Sequence, residues 1–497
     1  MKKTIILMGA LFIGACAYAA KPNVVIVYAD DMGYGDASFG NKESKIQTPH
    51  IDALANSGMR FLDGHSSSGI CTPSRYAMLT GQHHWRSFHG ICNAFAESKF
   101  KPDDFTLPKM FKACGYKTAM IGKWHLGWGW KEMRKKGAKG NGAEAFDWTK
   151  KMSGGPTSIG FDYYYGDGTI NFPPYCWIEN DIPVTAPTRD VNNTTDVAGR
   201  KEGVGNLRQG PASDDWKIEE VLPTLTKKAV EYISQQNANE PFFLYLALNS
   251  PHAPIAPAKE FWGKSQAGYF GDFVIQSDDT LGRVVAELER KGLIDNTIII
   301  FTADNGAESW AYDRQAEFGH WSSGPFRGAK RDLFEGGHHV PFVVSWKGTI
   351  DAGIVSDTTI NQVDFAATFA GIIGYDLKKD EAQDSFDMIS AWKSENKGQV
   401  RDIMVHNTNN NAYALRQGDW VYIDVKSGSH NKIKGKEYIP SDTEPTGEGT
   451  AGLLYNLKED IAQVNNVYEQ HPEKVKEMKA LLTKYVKGKK PTAPHSR

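Results

Sequence analysis

Cysteine is scarce in this chain, with only 5 residues among 497. Small folds held together by disulfides are rich in cysteine, so that class is excluded. Stability must come instead from a hydrophobic core, which a chain of this length can readily bury. Cys16 lies in the N-terminal segment and Cys71 lies in a motif described below. Cys92, Cys114 and Cys176 remain; they allow at most one disulfide, and whether any pair forms is left open.

Long hydrophobic runs and an excess of charge of one sign are also missing. After the N-terminus, no apolar stretch approaches the roughly 20 residues that a membrane-spanning helix needs. The formal net charge of −2 gives no electrostatic basis for binding nucleic acid or an anionic membrane surface. These absences leave an ordinary soluble globular protein, with a length that suggests two or three domains.

Residues 1–20 have the pattern of an export signal. Lys2 and Lys3 supply a positive start, residues 4–14 form a short apolar run, and Ala17-Tyr18-Ala19 has the form of a cleavage site. We therefore predict a protein that is exported to the periplasm or secreted. An alternative stays open, because Ile13-Gly14-Ala15-Cys16 is similar to a bacterial lipobox and would make Cys16 a lipid-anchored N-terminus.

The chain is organised around the stretch Cys71-Thr72-Pro73-Ser74-Arg75. The proline and the run after Arg75 predict that Cys71 lies at or just before a helix N-terminus, since proline is tolerated in a first turn. Such a position favours negative charge on an attacking oxygen or a bound anion. Taken alone, a pentapeptide of the form Cys-x-Pro-x-Arg would favour a buried structural cysteine, so its interpretation depends on the rest of the chain.

Four predicted strands end in polar residues. Unbroken apolar runs are typical of strands buried on both faces, and their alternation with helices predicts a mostly parallel sheet flanked by helices. The carboxyl ends of parallel strands meet at one edge of a sheet, where ligands bind. The polar ends are Asp30-Asp31 after strand 23–29, Lys123 and His125 after strand 118–122, His252 after strand 241–248, and Asp304-Asn305 after strand 297–302. A fifth strand is predicted over residues 342–346, beyond a glycine-rich loop that carries Lys330.

The assembled patterns resemble the type I, formylglycine-dependent sulfatases, which are arylsulfatase-like members of the alkaline-phosphatase superfamily. The resemblance covers residues 22–346 and reaches the C-terminal segment through Leu454-Tyr455-Asn456-Leu457-Lys458-Glu459-Asp460. Its most specific parts are Cys71 to Gly81 and Gly122-Lys123-Trp124-His125-Leu126-Gly127. It implies an alkaline-phosphatase-like α/β fold and hydrolysis of sulfate esters.

One motif departs from the family pattern. Where the family often has Gly-Gly-x-Arg-Val-Pro, this chain has Gly336-Gly337-His338-His339-Val340-Pro341. We expect the departure to affect the substrate side and to leave the sulfate site intact.

The resemblance also implies roles for individual residues. A maturation enzyme would oxidise Cys71 to formylglycine, an aldehyde whose hydrate is the nucleophile. One divalent cation would be bound by Asp30, Asp31, Asp304, Asn305 and residue 71, and an all-oxygen shell favours Ca²⁺, with Mg²⁺ as the less favoured choice. The other roles are Arg75 and Lys123 as holders of the hydrate, His125 as the base that releases sulfate, His252 as the acid that protonates the departing sugar oxygen, and Lys330 as a sulfate ligand.

The same resemblance suggests the organisation of the chain. We predict a signal segment over 1–20, a catalytic domain over 21–374, and a C-terminal α+β subdomain over 375–497. A hairpin over 412–423, a strand over 453–457 and a helix over 471–486 are expected in the last part. Residues 130–206 are irregular in pattern, and we interpret them as loops over the catalytic face that contact substrate.

We expect the substrate to be a sulfated sugar at the end of a glycan. From the resemblance alone, galactose-type or N-acetylhexosamine 6-sulfates are preferred, and exo versus endo action is left to experiment. Aromatic faces stack on pyranose rings, while His and Arg bond sugar hydroxyls. On that basis the candidate sugar contacts are His83, His84, Trp85, Arg86, Trp310, His320 and Trp321.

Two other functions compete with this interpretation. A formylglycine-dependent phosphonate or phosphodiester hydrolase would carry the same Cys-x-Pro-x-Arg motif and similar metal ligands. A catalytically silent glycan-binding protein on the same scaffold would lack catalytic residues, and none is missing from this sequence.

Overall fold

The structure is a computed structural model that describes residues 21–192, 207–394, 399–408, 411–431, 433 and 437–487. The predicted signal segment, including Cys16, lies outside these residues. Among the helices that are described, none combines the length and the apolar character needed to cross a membrane.

A ten-stranded mixed sheet forms the centre of the molecule, and its five middle strands run parallel. All five strands predicted from the sequence are confirmed as members of this sheet. In spatial order its strands are β13 (Ile354–Ser356), β2 (Met59–Phe61), β12 (Phe342–Trp346), β11 (Thr297–Ala303), β1 (Asn23–Asp30), β10 (Phe242–Pro251), β4 (Lys117–Lys123), β5 (Tyr163–Gly168), β6 (Ile178–Glu179) and β7 (Ile182–Pro183).

Helices cover both faces of the sheet, as its apolar strands require. Alternate side chains of β1 enter different cores: Val25 and Val27 lie in one, Val24 and Ile26 in the other, and all four are fully buried. The first core is closed by α1 (Pro49–Ser57), α5 (Val221–Ser234) and α6 (Gly268–Arg290). The second is closed by α2 (Cys71–Thr80), α3 (Leu107–Ala113) and α8 (Phe365–Ile373). Shorter helices are α4 (Trp130–Met133), α7 (Ala311–Phe318) and α9 (Ile389–Trp392).

A second, antiparallel sheet forms the C-terminal part, as predicted. Its strands, in spatial and chain order, are β15 (Ile403–Asn407), β16 (Tyr413–Gln417), β17 (Trp420–Ile423) and β18 (Leu453–Asn456). Helix α10 (Pro472–Lys487) packs on one face, where Met478 meets Leu415 and Leu454. The other face packs against Phe334 of the catalytic region through Val421. The small sheet is therefore held between its own helix and the larger unit.

The interpretation of residues 130–206 as loops is wrong in part. The segment 163–168 forms β5, which pairs in parallel with β4, and β6 and β7 extend the sheet beyond it. A separate pair consists of β8 (Arg189–Val191) and β9 (Gly210–Ala212), and residues 193–206 lie outside the described part. Strand β5 was not predicted because it begins with three tyrosines and lacks the aliphatic residues of the neighbouring strands.

The domain boundary at residues 374/375 stays a prediction. Met388 and Trp392 lie beyond it and are fully buried, and both belong to the second core of the large sheet. The chain therefore continues to build the larger unit for some distance before β15 begins.

A further short pair of strands, β3 (Gly64–His65) with β14 (Ile360–Asn361), lies beside the start of the segment that contains Cys71.

Candidate active site

Four adjacent strands deliver the predicted polar residues to one edge of the sheet. The strand order β11-β1-β10-β4 brings together Asp304, Asp30, His252 and Lys123, each at or just after the carboxyl end of its strand. None of these residues is more than 9% exposed. Parallel topology alone accounts for their meeting, since every one of these strands ends at the same edge.

Local backbone features direct two of these side chains. At Gly122 an added Cβ would lie 1.8 Å from the carbonyl oxygen of Ala247, so only glycine allows β4 to approach β10 just before Lys123. Asp31 has φ 64°, a left-handed conformation that is uncommon for a non-glycine residue. This turn lets two consecutive carboxylates, Asp30 and Asp31, join the same cluster.

The acidic residues are linked to one another. The amide of Asn305 donates from Nδ2 to Asp31 Oδ1 over 2.7 Å. The backbone N–H of Asp31 donates to Asp304 Oδ1 over 3.1 Å. These bonds tie the end of β1 to the end of β11 and fix the relative positions of the predicted ligands.

Three basic side chains compensate the three carboxylates. Arg75 places Nε 2.9 Å and Nη2 2.8 Å from Asp304 Oδ2. Lys330 Nζ donates to Asp31 Oδ1 over 2.5 Å, and Lys123 Nζ donates to Asp30 Oδ2. All three basic residues are at most 3% exposed. With three charges of each sign, this buried cluster is close to neutral as it stands.

The basic side chains do not compensate the negative charge of Asp304 and Asp31 equally. Burial, with the neighbouring Asp30 carboxylate, raises the pKa of Asp304 to about 6 in spite of Arg75. Burial also acts to raise the pKa of Asp31, but Lys330 and His252 outweigh it and hold that pKa below its usual range. The region around Asp304 therefore has room for further positive charge.

Three buried oxygen atoms of the cluster have no hydrogen-bond partner within the described part of the chain. They are Asp30 Oδ1, Asp31 Oδ2 and Asn305 Oδ1. Buried polar atoms are rarely left unpaired unless they serve a ligand or an ion. Each of these atoms belongs to a residue predicted to bind the metal, and a donor set of hard oxygens fits Ca²⁺ or Mg²⁺. Side-chain ligand atoms of Asp30, Asp31, Cys71 and His252 also lie within 4.8 Å of one another.

Cys71 begins helix α2 beside these ligands. Its Sγ lies 3.9 Å from Asp31 Oδ1, and the residue is 3% exposed. Burial raises the pKa of the Cys71 thiol above its ordinary value. Because the thiolate is the reactive form of cysteine, the unmodified side chain is chemically inert at neutral pH.

Two histidines flank the cluster, and both are neutral. Burial lowers the pKa of His125 well below its usual range and that of His252 to about 3. His125 Nε2 bonds the carbonyl of Cys92 over 2.8 Å, so Nε2 carries the proton and Nδ1 is an acceptor. His252 Nδ1 bonds the carbonyl of Ala253, which leaves Nε2 as an acceptor 3.6 Å from Asp31 Oδ2.

Comparison with known proteins agrees with this geometry. The sequence model of the Sulfatase family matches residues 22–375. The chain belongs to the sulfatase family. It is a sulfuric ester hydrolase of the arylsulfatase-like type within the alkaline-phosphatase superfamily.

Similar sulfatases align over most of the chain. An N-acetylgalactosamine-6-O-sulfatase of Bacteroides thetaiotaomicron is 32% identical over 93% of this chain and 92% of its own length. Mouse N-acetylgalactosamine-6-sulfatase is 30% identical over 94% of this chain and 83% of its own length. A solved structure from work on the metabolism of multiple glycosaminoglycans by Bacteroides thetaiotaomicron has a TM-score of 0.79 at 30% identity, covering 94% of this chain and 100% of the other.

The residues predicted to contact sugar after helix α2 pack within the sulfatase itself. His84 is fully buried and bonds Asn407 Oδ1 over 2.8 Å, and its sugar contact stays a prediction beside this packing role. Arg86 holds Asp384 through two nitrogens at 2.7 and 2.6 Å. His83 stacks on Trp85, and Trp85 meets Tyr413 of the C-terminal sheet. For His83, Trp85 and Arg86 a sugar contact stays a prediction, beside an evident packing role.

The candidate sugar-contact residues that follow Asp304 also make contacts within the protein. His320 is fully buried and bonds Asp36 Oδ1 over 2.8 Å, and its sugar contact stays a prediction beside this bond. Trp321 is 5% exposed and donates from Nε1 to the carbonyl of Phe326 over 2.9 Å. Trp310 is half-buried against the first core, and for both tryptophans the sugar contact stays a prediction.

A pocket beside His125 contains residues that the sequence analysis missed. Its walls include Phe95, Trp128, Asp167 and Phe172. Asp167 lies at the end of β5, where Oδ1 accepts from Asn249 Nδ2 over 2.7 Å, and burial raises its pKa to about 6. Tyr163-Tyr164-Tyr165-Gly166-Asp167 repeats the pattern of an apolar run followed by a carboxylate, so the signal was present in the sequence.

Proposed function

We propose that this sulfatase is exported and removes the 6-O-sulfate of a terminal galactose-type or N-acetylhexosamine residue of a glycan. It would act through formylglycine at residue 71 and one bound Ca²⁺. Support for the sugar comes from two relatives named for N-acetylgalactosamine 6-sulfate, which align over 93% and 94% of this chain. Support for export comes from the pattern of residues 1–20.

The observation that carries the proposal is the charge balance of the buried cluster. Arg75, Lys123 and Lys330 already offset the three carboxylates, while three acceptor oxygens have no hydrogen-bond partner among the described residues. A divalent cation bound to those oxygens would leave the cluster with surplus positive charge. An anionic sulfate ester is the group that such a surplus attracts in a buried site.

Two groups would complete the site. Ca²⁺, held by Asp30, Asp31, Asp304 and Asn305 together with residue 71, would polarise a sulfate oxygen. Formylglycine at residue 71 would supply a hydrate oxygen as nucleophile, a task for which the buried Cys71 thiol is unsuited.

The basic residues orient the reacting groups. Arg75 lies one helical turn after residue 71 on α2, and its guanidinium is anchored on Asp304. Lys330 comes from the loop before β12 and reaches Asp31 beside Cys71. A tetrahedral oxyanion near residue 71 would therefore meet positive charge from two directions, without reorganisation of the protein.

The two histidines suit opposite proton transfers. His125 has Nδ1 free to accept a proton, because Nε2 is fixed on the carbonyl of Cys92. We assign it as the base that permits sulfate release. We assign His252 as the acid that protonates the departing sugar oxygen. Its pKa of about 3 means that it must gain its proton when the negative ester binds beside it, since nearby negative charge raises a histidine pKa.

The pocket beside His125 is the proposed sugar site. Its volume of about 40 Å³ is smaller than a pyranose, so the aromatic walls would have to separate before the ring could stack on Phe172 or Trp128 and bring its hydroxyls to Asp167. Asp167→Asn is expected to raise KM for a sulfated sugar about tenfold or more, while a small aryl sulfate is affected less than threefold. Equal losses on both substrates would contradict this assignment.

The central test combines three measurements on the enzyme matured in its native host. Peptide mass spectrometry should find an aldehyde at residue 71, elemental analysis should find one Ca²⁺ per chain, and sulfate release should be highest on short 6-sulfated sugars. Faster turnover of aryl phosphate diesters than of aryl sulfates would instead favour a phosphodiester hydrolase. Activity confined to internal positions of long polysaccharides would overturn the terminal-sugar proposal.

Export is tested separately by the mature N-terminus. A chain from the periplasm or medium that begins near residue 20 would support ordinary signal cleavage. A lipid-modified Cys16 in the membrane fraction would support the lipobox alternative, and an intact Met1 in the cytoplasm would contradict both.

A further inference from the structure

A second buried polar cluster lies outside the active site, between the two sheets. It consists of His65 in β3, His338 in the loop before β12, and His406 in β15. These residues are at most 1% exposed. One ring nitrogen from each lies within 4.8 Å of the others. His338 belongs to the motif that departs from the family pattern, and the proposed reaction gives it no role.

The nitrogen atoms of this histidine cluster are largely unsatisfied. His338 Nε2 and both ring nitrogens of His406 have no hydrogen-bond partner within the described residues. His65 Nε2 faces Asp63 Oδ1 at 2.8 Å, so His65 carries its proton there and turns the Nδ1 lone pair towards His338. A carboxylate behind a histidine in this way is the usual support of a metal-ligating imidazole.

The charge of the surroundings also favours a cation. Burial lowers the pKa of all three histidines, that of His338 to about 3, so the imidazoles are neutral and their lone pairs are available. Asp63 and Glu335 lie against the cluster, and Arg416 faces both carboxylates, at 2.6 and 3.5 Å. Two negative groups against one positive group leave a net negative environment around three neutral ligands. An anion is disfavoured there.

We propose that His65, His338 and His406 bind a divalent transition metal of the zinc class, which joins the catalytic region to the C-terminal sheet. The Nδ1 atoms of His65 and His338 are 3.1 Å apart and share a hydrogen bond, which a bound metal ion would replace with loss of the shared proton to the second nitrogen of His338. Two ligands at Zn–N distances of 2.0–2.1 Å and a tetrahedral angle would be about 3.3 Å apart, which is close to that separation. Imidazole nitrogens select zinc-like metals over Ca²⁺, so the two clusters would bind different ions.

Metal binding requires one rearrangement. The rings of His338 and His406 are stacked, with centroids 3.5 Å apart and 10° between their planes. Parallel rings direct their lone pairs side by side, so one ring must turn for both to face the same ion. Asp63 would keep His65 fixed while this happens, since it is itself held by Arg416 and Thr359.

The test uses the untagged full-length protein, stripped with a chelator and returned to buffer containing excess Ca²⁺ to fill the oxygen site. Titration with Co²⁺ should give visible absorption of a nitrogen-ligated ion at one equivalent per chain. Zn²⁺ should displace it and should raise the Tm. His406→Gln should lose the absorption and weaken Zn²⁺ binding at least tenfold. Asp63→Asn should weaken it about 10–100-fold while retaining the stoichiometry.

Matched controls separate this site from other histidines and from the active site. His320→Gln removes an equally buried histidine that pairs with Asp36, and it should bind Zn²⁺ as the wild type does. Asp31→Asn alters the oxygen cluster and should also retain Zn²⁺. A wild-type chain without the Co²⁺ absorption or a stoichiometric Zn²⁺ site would overturn the proposal, whether or not the variants fold. Unchanged binding by folded His406→Gln and His65→Gln would overturn it equally.

Discussion

Two arginine–aspartate pairs with buried carboxylates have their arginines in the same part of the chain and have opposite electrostatic character. Arg75, within helix α2, places two nitrogens within 2.9 Å of Asp304. Arg86, shortly after the helix, places two nitrogens within 2.7 Å of Asp384. Yet the pKa of Asp304 is raised to about 6, whereas that of Asp384 is lowered to about 2.

The difference comes from the neighbours of each carboxylate. Burial raises both pKa values, but Asp304 also faces Asp30 and Asp31, whose negative charge adds to the effect. Asp384 instead accepts hydrogen bonds from Arg86 and from the backbone N–H of His83 at 2.9 Å. The Arg86–Asp384 pair therefore stabilises the fold. In the Arg75–Asp304 pair, repulsion is retained where a metal is expected to relieve it.

The substitution with the largest expected effect should abolish sulfate release and leave both arginine–aspartate pairs in place. Cys71→Ala should lower sulfate release by about 10⁴-fold or more, because the proposed nucleophile is lost. Within the described residues the side chain has one weak polar contact, at 3.9 Å to Asp31, and alanine keeps its Cβ, so the Tm should change little. Initial rates on an aryl sulfate and thermal unfolding would measure the two quantities.

Cys114→Ser provides the matched control for this experiment. Cys114 is half-buried at the end of α3, away from the strand-end cluster, and its substitution should leave the rate unchanged. Wild-type turnover by Cys71→Ala would refute the assignment of residue 71. A loss in both variants would indicate a general dependence on thiols.

Removal of Ca²⁺ should lower the rate through the cluster formed by Asp30, Asp31, Asp304 and Asn305. Exhaustive chelation is expected to lower the rate about 100-fold or more, since a Lewis acid contributes several kcal/mol to such a transition state. Added Ca²⁺ should restore the rate, because the unpaired oxygens of Asp30, Asp31 and Asn305 are hard ligands. Activity that survives chelation, in protein shown to be metal-free, would contradict the metal assignment.

The residues of the site differ in how far the sequence could predict their positions. Asp30, Lys123, His252 and Asp304 were predictable because strands of a parallel sheet end at one edge, whatever the details of packing. The loop residues were not. His84 and His320 have the composition of a sugar site, but their burial depends on Asn407 and on Asp36, which are distant in sequence.

Strand β5 shows the other limit of prediction from sequence. Its tyrosines lack the aliphatic character on which the strand prediction relied, so the carboxylate at its end, Asp167, was overlooked. Its place beside His125 depends on the pairing of β5 with β4, and a single sequence does not show which strand pairs with which. The pairing of Arg86 with Asp384, nearly 300 residues apart, was unpredictable for the same reason.

Replacing the aspartate of each arginine–aspartate pair with asparagine should show that the two pairs contribute differently to stability. Asp384→Asn should destabilise the protein by about 3 kcal/mol, because it leaves Arg86 without its buried partner. Asp304→Asn in metal-free protein at pH 7 should cost clearly less stability than Asp384→Asn, since it removes a carboxylate whose raised pKa marks an unfavourable charge, although Arg75 loses an ion-pair partner. Urea unfolding of both variants and the wild type, all with chelator, would measure this. Equal destabilisation by both substitutions would show that the two pairs do not differ.

The smallest expected effect is a loss of folding stability at low pH that is due to protonation of Asp384. Its pKa is about 2 in the folded protein against an ordinary value of 3.8, so the pair's contribution is complete above about pH 4 and is lost as the pH falls through 2. A shift of nearly two units corresponds to about 2.5 kcal/mol. The stability difference between wild type and Asp384→Asn should therefore shrink steadily between pH 4 and pH 2. Lys347 with Asp295, an exposed pair, serves as the control, and Asp295→Asn should change stability by less than about 1 kcal/mol throughout that range. A wild-type advantage over Asp384→Asn that stays constant down to pH 2 would show that the carboxylate is not held ionised by Arg86, and the contrast with Asp304 would then rest on Asp304 alone.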